Sequence, residues 1–123
     1  MQFMVEDPMV EQRRANRIRV QLPARYLSSN LNLEGHVTDL SPEGLFFSSD
    51  YLDDKGETAH VWIEVPARPT PLQLHGEVRW VKDSAHGCGM GIKLQDVSLS
   101  DRILLSALIT NDAEQKSPII GNA

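Results

Sequence analysis

Apolar and polar residues alternate with a period of two along most of the chain, and the period changes once, near the C-terminus. Ile18, Val20 and Leu22 fall on one side of an extended segment and Arg19 and Gln21 on the other, the pattern of a half-buried strand. Pro23 makes the end of that strand an edge or a bulge. Ser28 to Leu33 reads as a turn. Residues 36–40 and 44–49 form two further short strands around the tight turn Ser41-Pro42-Glu43-Gly44, where Pro suits a turn and Gly is free to take a positive φ.

Asp50 to Glu57 is a polar loop. Val61, Ile63 and Val65 share one face of a fourth strand, and three prolines between Pro66 and Pro71 interrupt the chain. Leu72, Leu74, Gly76, Val78 and Trp80 share one face of a long fifth strand, which assigns Trp80 to the core. Trp62 lies on the opposite face from Val61 and Ile63, either exposed or packed against the helix. Lys82 to Gly87 is a polar turn, and Met90, Ile92 and Leu94 line the sixth strand. Ser98 then provides a helix cap with Asp101 in the first turn. Ile103, Leu104, Ala107 and Leu108 form an apolar helical face to about Thr110, widened by Leu105 and Ile109.

Six short strands with regular turns followed by one helix predict an all-β dominated fold, a six-stranded antiparallel barrel with a C-terminal helix over one mouth. Residues 13–111 make up the domain, with the helix at about 98–110. Residues 1–12 read as a flexible lead-in and 112–123 as a flexible polar tail.

Composition narrows the function classes. The 123 residues are 41% hydrophobic, enough for one core. No apolar run approaches the roughly 18–20 residues of a membrane helix, so no membrane insertion is expected. The first residues carry Glu6 and Asp7 rather than a basic, then apolar, leader. A single cysteine, Cys88, excludes a disulfide framework and fits a reduced, cytoplasmic setting.

The net charge of −5 disfavours nucleic acid as a partner. Its distribution is uneven: residues 13–25 hold five arginines and no acid, while the chain after them carries fourteen acids against seven bases. One cationic segment on an acidic protein suits a small anion held by a few contacts. His36, His60, His75 and His86 are scattered, and no metal cluster, nucleophile–base pair or Gly-rich phosphate loop opens an enzymatic reading.

Two polar motifs remain. Arg13-Arg14-Ala15-Asn16-Arg17 supplies guanidinium forks that match phosphate or a purine edge two bonds at a time. Asp39-Leu40-Ser41-Pro42-Glu43-Gly44 supplies a carboxylate, a hydroxyl and a close turn. In a regular strand Val37, Asp39 and Ser41 share a face, and an acid on an inward face demands a partner.

The pair of motifs, with Gly89-Met90-Gly91-Ile92-Lys93-Leu94 downstream, resembles the PilZ domain over residues 12 to 110. The resemblance implies a six-stranded split barrel with a C-terminal helix. It also implies a non-enzymatic bacterial receptor for cyclic di-GMP that needs no cofactor or metal and serves motility or biofilm regulation. Arg13 and Arg17 would grip phosphate and guanine, with Arg14 an added phosphate contact. Asp39 and Ser41 would bind guanine's polar edge, and Gly44 would let the turn approach closely. The expected mechanism clamps the Arg segment over the barrel and relays the signal to an unidentified protein partner. The alternative is a nucleotide-independent interaction adaptor of the same fold. Monomer and homodimer both stay open.

Overall fold

The computed structural model describes residues 17–122, with side chains described through Thr110. The chain runs β1 (Ile18–Leu27), β2 (Asn32–Leu40), β3 (Gly44–Ser48), β4 (Thr58–Ile63), β5 (Leu72–Ser84), β6 (Gly87–Leu94) and α1 (Leu99–Asn122). The six strands close into an antiparallel barrel in the order β1-β2-β3-β6-β5-β4. Closure leaves no free sheet edge. The expected fold class and element order are therefore those of the structure.

Tyr26, Val37, Leu40, Phe47, Val61, Ile63, Val78 and Met90 point into the barrel and are fully or almost fully buried. Each large apolar side chain so enclosed contributes about 1.5–3 kcal/mol of transfer free energy. Four boundaries differ markedly from the sequence reading. β2 begins at Asn32, four residues before the expected residue 36 and inside the expected turn. β1 continues through Pro23, which pairs with His36 and whose carbonyl accepts the Glu64 N–H at 2.9 Å. β5 runs past Trp80 to Ser84, so Lys82 and Asp83 are paired strand residues rather than turn residues. α1 continues to Asn122, twelve residues beyond Thr110. The apolar pattern stops at Ile109, but Ala113, Glu114, Gln115 and Lys116 are all good helix formers.

Ser98 caps α1 as expected: its Oγ accepts the Asp101 N–H at 3.1 Å, and its carbonyl accepts the Arg102 N–H at 2.9 Å. The inward face of the helix is rotated from the one expected. Leu105 is buried in the barrel core, with Leu104, Leu108 and Ile109 packed against it, whereas Ile103 and Leu99 are exposed.

A polar network ties down the barrel at the β1–β2 turn. Asp53, in the β3–β4 loop, is buried and accepts hydrogen bonds from Tyr26 Oη at 2.7 Å, Ser28 Oγ and Asn30 Nδ2, and from the Asp54 N–H at 3.0 Å. Burial raises the Asp53 carboxyl pKa, but these donors outweigh it and hold the group below the usual aspartate range. Tyr26 is pushed well above the usual tyrosine range, first by burial and then by the bond to the ionised Asp53.

Candidate functional site

Three interruptions of strand register shape the outer wall of the barrel. Val20 and Gln21 of β1 together face the single Thr38 of β2. Thr38 is in turn the extra residue of β2 against β3, and Arg79 is the extra residue of β5 against β6. Such bulges break the period of two and re-aim the next side chain.

The first consequence corrects the face assigned to Asp39. Val37 and Leu40, three apart, are both fully buried, so the bulge at Thr38 turns Asp39 outward, away from the face of Val37. The second corrects Trp80. Val78 is fully buried, but the bulge at Arg79 flips Trp80 out of the core, leaving it 48% exposed.

The register then lines up one row of outward residues across five strands. Arg19 of β1 pairs with Asp39 of β2, Asp39 with Phe46 of β3, Phe46 with Gly91 of β6, and Gly91 with Trp80 of β5. The rings of Phe46 and Trp80 stack with centroids 5.2 Å apart and planes at 29°. Glycines make room for them, because a Cβ at Gly91 would overlap the Trp80 indole and one at Gly89 would overlap the Phe46 ring. The Gly89-x-Gly91 pattern therefore marks a strand whose outer side is covered by aromatic rings.

A cleft of about 670 Å³ lies along this row. Arg17, Asp39, Ser41, Gly44, Phe46, Arg79, Trp80 and Lys93 all line it. Glu43 lines it as well, so three cationic side chains stand against two carboxylates, a small net positive balance that favours an anionic ligand.

Ser41 is 7% exposed and its hydroxyl is committed to its own turn. The Oγ donates to the Gly44 carbonyl at 3.1 Å and accepts the N–H groups of Gly44 at 3.1 Å and Glu43 at 3.3 Å. The Ser41 N–H donates to the same Gly44 carbonyl at 2.9 Å. A hydroxyl has one donor and two acceptor sites, so all three are used. The positive φ that the sequence reading allowed Gly44 is not used. Gly44 is absent from the positive-φ glycines, Gly56 and Gly87, but a Cβ there would sit 2.7 Å from the Ile92 carbonyl oxygen. The lack of a side chain lets the turn press against β6.

The cleft thus brings together Arg17, Asp39, Ser41 and Gly44 of the sequence-derived set, while Arg13 and Arg14 lie outside the described residues. Phe46, Arg79, Trp80 and Lys93 join them, none of which the sequence reading placed at the site. The adjacent glycines of β6 were the one sequence signal for the aromatic pair; nothing in the sequence announces the bulge that delivers Arg79.

A second groove of about 680 Å³ lies over β1, which is opposite β6 in the barrel order. Its walls include Trp62, half-buried, and the Arg25–Glu34 ion pair at 3.0 Å, but none of the motif residues. Cys88 Sγ contacts Asp83 Oδ1 at 3.4 Å, a bond that pushes the thiol pKa up and away from nucleophilic use. Among the described residues no group of three or more His, Cys, Asp or Glu side chains is placed to hold a metal ion. No helix among them is long and apolar enough to cross a membrane.

Comparison with known proteins agrees with this fold. The family model of the PilZ domain matches residues 11–111. No curated protein matches the chain. Among solved structures, the fold is similar to that of the inhibitor of motility MotI/DgrA from Bacillus subtilis, with a TM-score of 0.68 at 17% identity. That match covers 82% of this chain and 50% of the other, so the chain spans about half the length of that protein. The PilZ domain of YcgR from Escherichia coli, solved with c-di-GMP, matches with a TM-score of 0.64 at 14% identity, covering 86% of this chain and 94% of that one. A tetrameric PilZ domain from Xanthomonas campestris, described as self-assembled through a helical bundle, matches with a TM-score of 0.58 at 18% identity over 72% of this chain and 49% of that one.

Proposed function

The chain belongs to the PilZ domain family, and from that premise we propose that it is a cyclic di-GMP receptor whose ligand lies along the β2–β3–β6–β5 face. The observation that carries this reading is the row from Asp39 to Trp80, which gathers a carboxylate, an aromatic surface and cations in one cleft. Its reach also fits: Asp39 and Trp80 are three strand spacings apart, about 14 Å along the sheet. That is wider than one purine and suits a ligand with two bases.

In this reading Asp39 accepts the N1 and N2 donors of one guanine. Arg17 holds a phosphate and the outer edge of a base, joined by Arg13 and, as a further phosphate contact, Arg14. The Phe46–Trp80 surface stacks the second base, an interaction worth about 1–3 kcal/mol in comparable single-strand sites. Ser41 acts by holding the turn, and Gly44 lets it approach β6. Ligand binding clamps residues 13–17 against the barrel, and the altered surface is what a protein partner reads. Coupling of this kind is limited to the ligand's preference for the clamped state.

The exposed Leu99 and Ile103 lie one helical turn apart on α1 and give a partner, or a second copy, an apolar stripe to contact. The test of the receptor reading is calorimetric titration with cyclic di-GMP against cyclic di-AMP and GTP. Selective binding of cyclic di-GMP supports it, and equal or absent binding rejects it. Amide exchange in residues 8–20 checks the clamp, with slower exchange expected on adding ligand.

A further inference from the structure

Arg79 belongs to neither motif, yet the fold delivers it to the cleft. As the extra residue of the β5 bulge it precedes Trp80 directly, and both side chains are exposed on the outer wall and line the same cleft. In a regular strand consecutive side chains would point to opposite faces. Its guanidinium is held from one side: Nε lies 4.0 Å from Glu77 Oε1, and Glu77 accepts the Gln95 side-chain amide at 3.5 Å. An ion pair at Nε leaves the two Nη groups as the donors offered to a ligand.

Asp39 stands three strands away, so it and Arg79 do not share one purine. A base laid on Trp80 would turn its edge toward the neighbouring Arg79. The guanine edge that carries O6 and N7 presents two acceptors and matches a bidentate Arg, whereas adenine puts an N6 donor where guanine has O6.

We infer that Arg79 reads the O6/N7 edge of the second guanine and so sets the requirement for two guanines rather than one. This rests on the receptor reading above. It makes Arg79 a specificity residue, because a ligand with one guanine would satisfy Asp39 and fail at Arg79.

The test compares cyclic di-GMP with cyclic GMP-AMP on wild type, Arg79→Ala and Arg79→Lys by calorimetry. Arg79 is exposed, and equal thermal unfolding of the three proteins checks that folding is unchanged. Arg79→Ala should weaken cyclic di-GMP by about 5- to 150-fold, the range for one bidentate contact. It should leave cyclic GMP-AMP nearly unaltered, so that the preference between the two ligands collapses. Arg79→Lys should not restore it, since a point charge cannot make the paired contact. Unchanged affinity in Arg79→Ala overturns the inference. So does an equal loss for both ligands, or full rescue by Lys, because either marks a phosphate contact. Absence of cyclic di-GMP binding to wild type instead removes the receptor reading, and this inference with it.

Discussion

Arg19 of β1 lies directly across from Asp39 of β2, with Nε 3.8 Å from Oδ1. Asp39 therefore already has a cationic neighbour before any ligand arrives. The Arg19 side chain is 86% exposed, and an exposed pair of this kind is worth about 0–1 kcal/mol. Arg19→Ala should release Asp39 and tighten nucleotide binding by up to about fivefold, whereas Asp39→Ala should weaken it strongly. Calorimetry decides: a tenfold loss in Arg19→Ala would mean that Arg19 is itself a ligand contact.

Ser41 is expected to act on the turn rather than on the nucleotide. Removing its hydroxyl leaves the N–H groups of Glu43 and Gly44 without their partner in a partly buried turn. The cost is about 1–3 kcal/mol for each group that finds no substitute. Ser41→Ala should therefore lose both stability, read by urea unfolding, and affinity. A Ser41→Ala protein as stable as wild type but unable to bind would show that the hydroxyl reaches the ligand instead.

The Asp53 network gives the fold an acid sensitivity of known sign. Asp53 is held below its usual range in the folded state, so the folded protein binds its proton less readily than the unfolded chain. Its stabilisation is complete above the ordinary aspartate range, near pH 4, and is lost as the pH falls through the lower folded value. Urea unfolding from pH 7 to pH 3 should show wild type losing stability more steeply than Asp53→Asn, which should be less stable than wild type at pH 7. Parallel pH profiles for the two proteins would contradict this role.

The parts of the structure legible in the sequence are those where a single period holds. Leu72 to Val78 alternate without interruption and lie where the pattern put them, and Ser98 caps the helix it was expected to cap. The motif turn at Ser41 to Gly44 also joins the two strands it was expected to join. The site was less legible because it is built on departures from the period. One extra residue at Thr38 turns Asp39 outward, and one at Arg79 turns Trp80 outward. A bulge is a property of two paired strands, and no single stretch of sequence displays it. The helix end was missed for the complementary reason: α1 continues where no apolar stripe marks it.

The central claim is that cyclic di-GMP lies along the row from Asp39 to Trp80. Two-dimensional amide NMR of the full chain during a titration tests it most directly, because the groove over β1 on the opposite side supplies an internal control. The expected result is that amides of residues 39–41, 43–46, 79–80 and 91–93 and the Trp80 indole N–H shift saturably, while those of Arg25, Glu34 and Trp62 do not. Shifts confined to the β1 groove, or none at saturating nucleotide, would contradict the account.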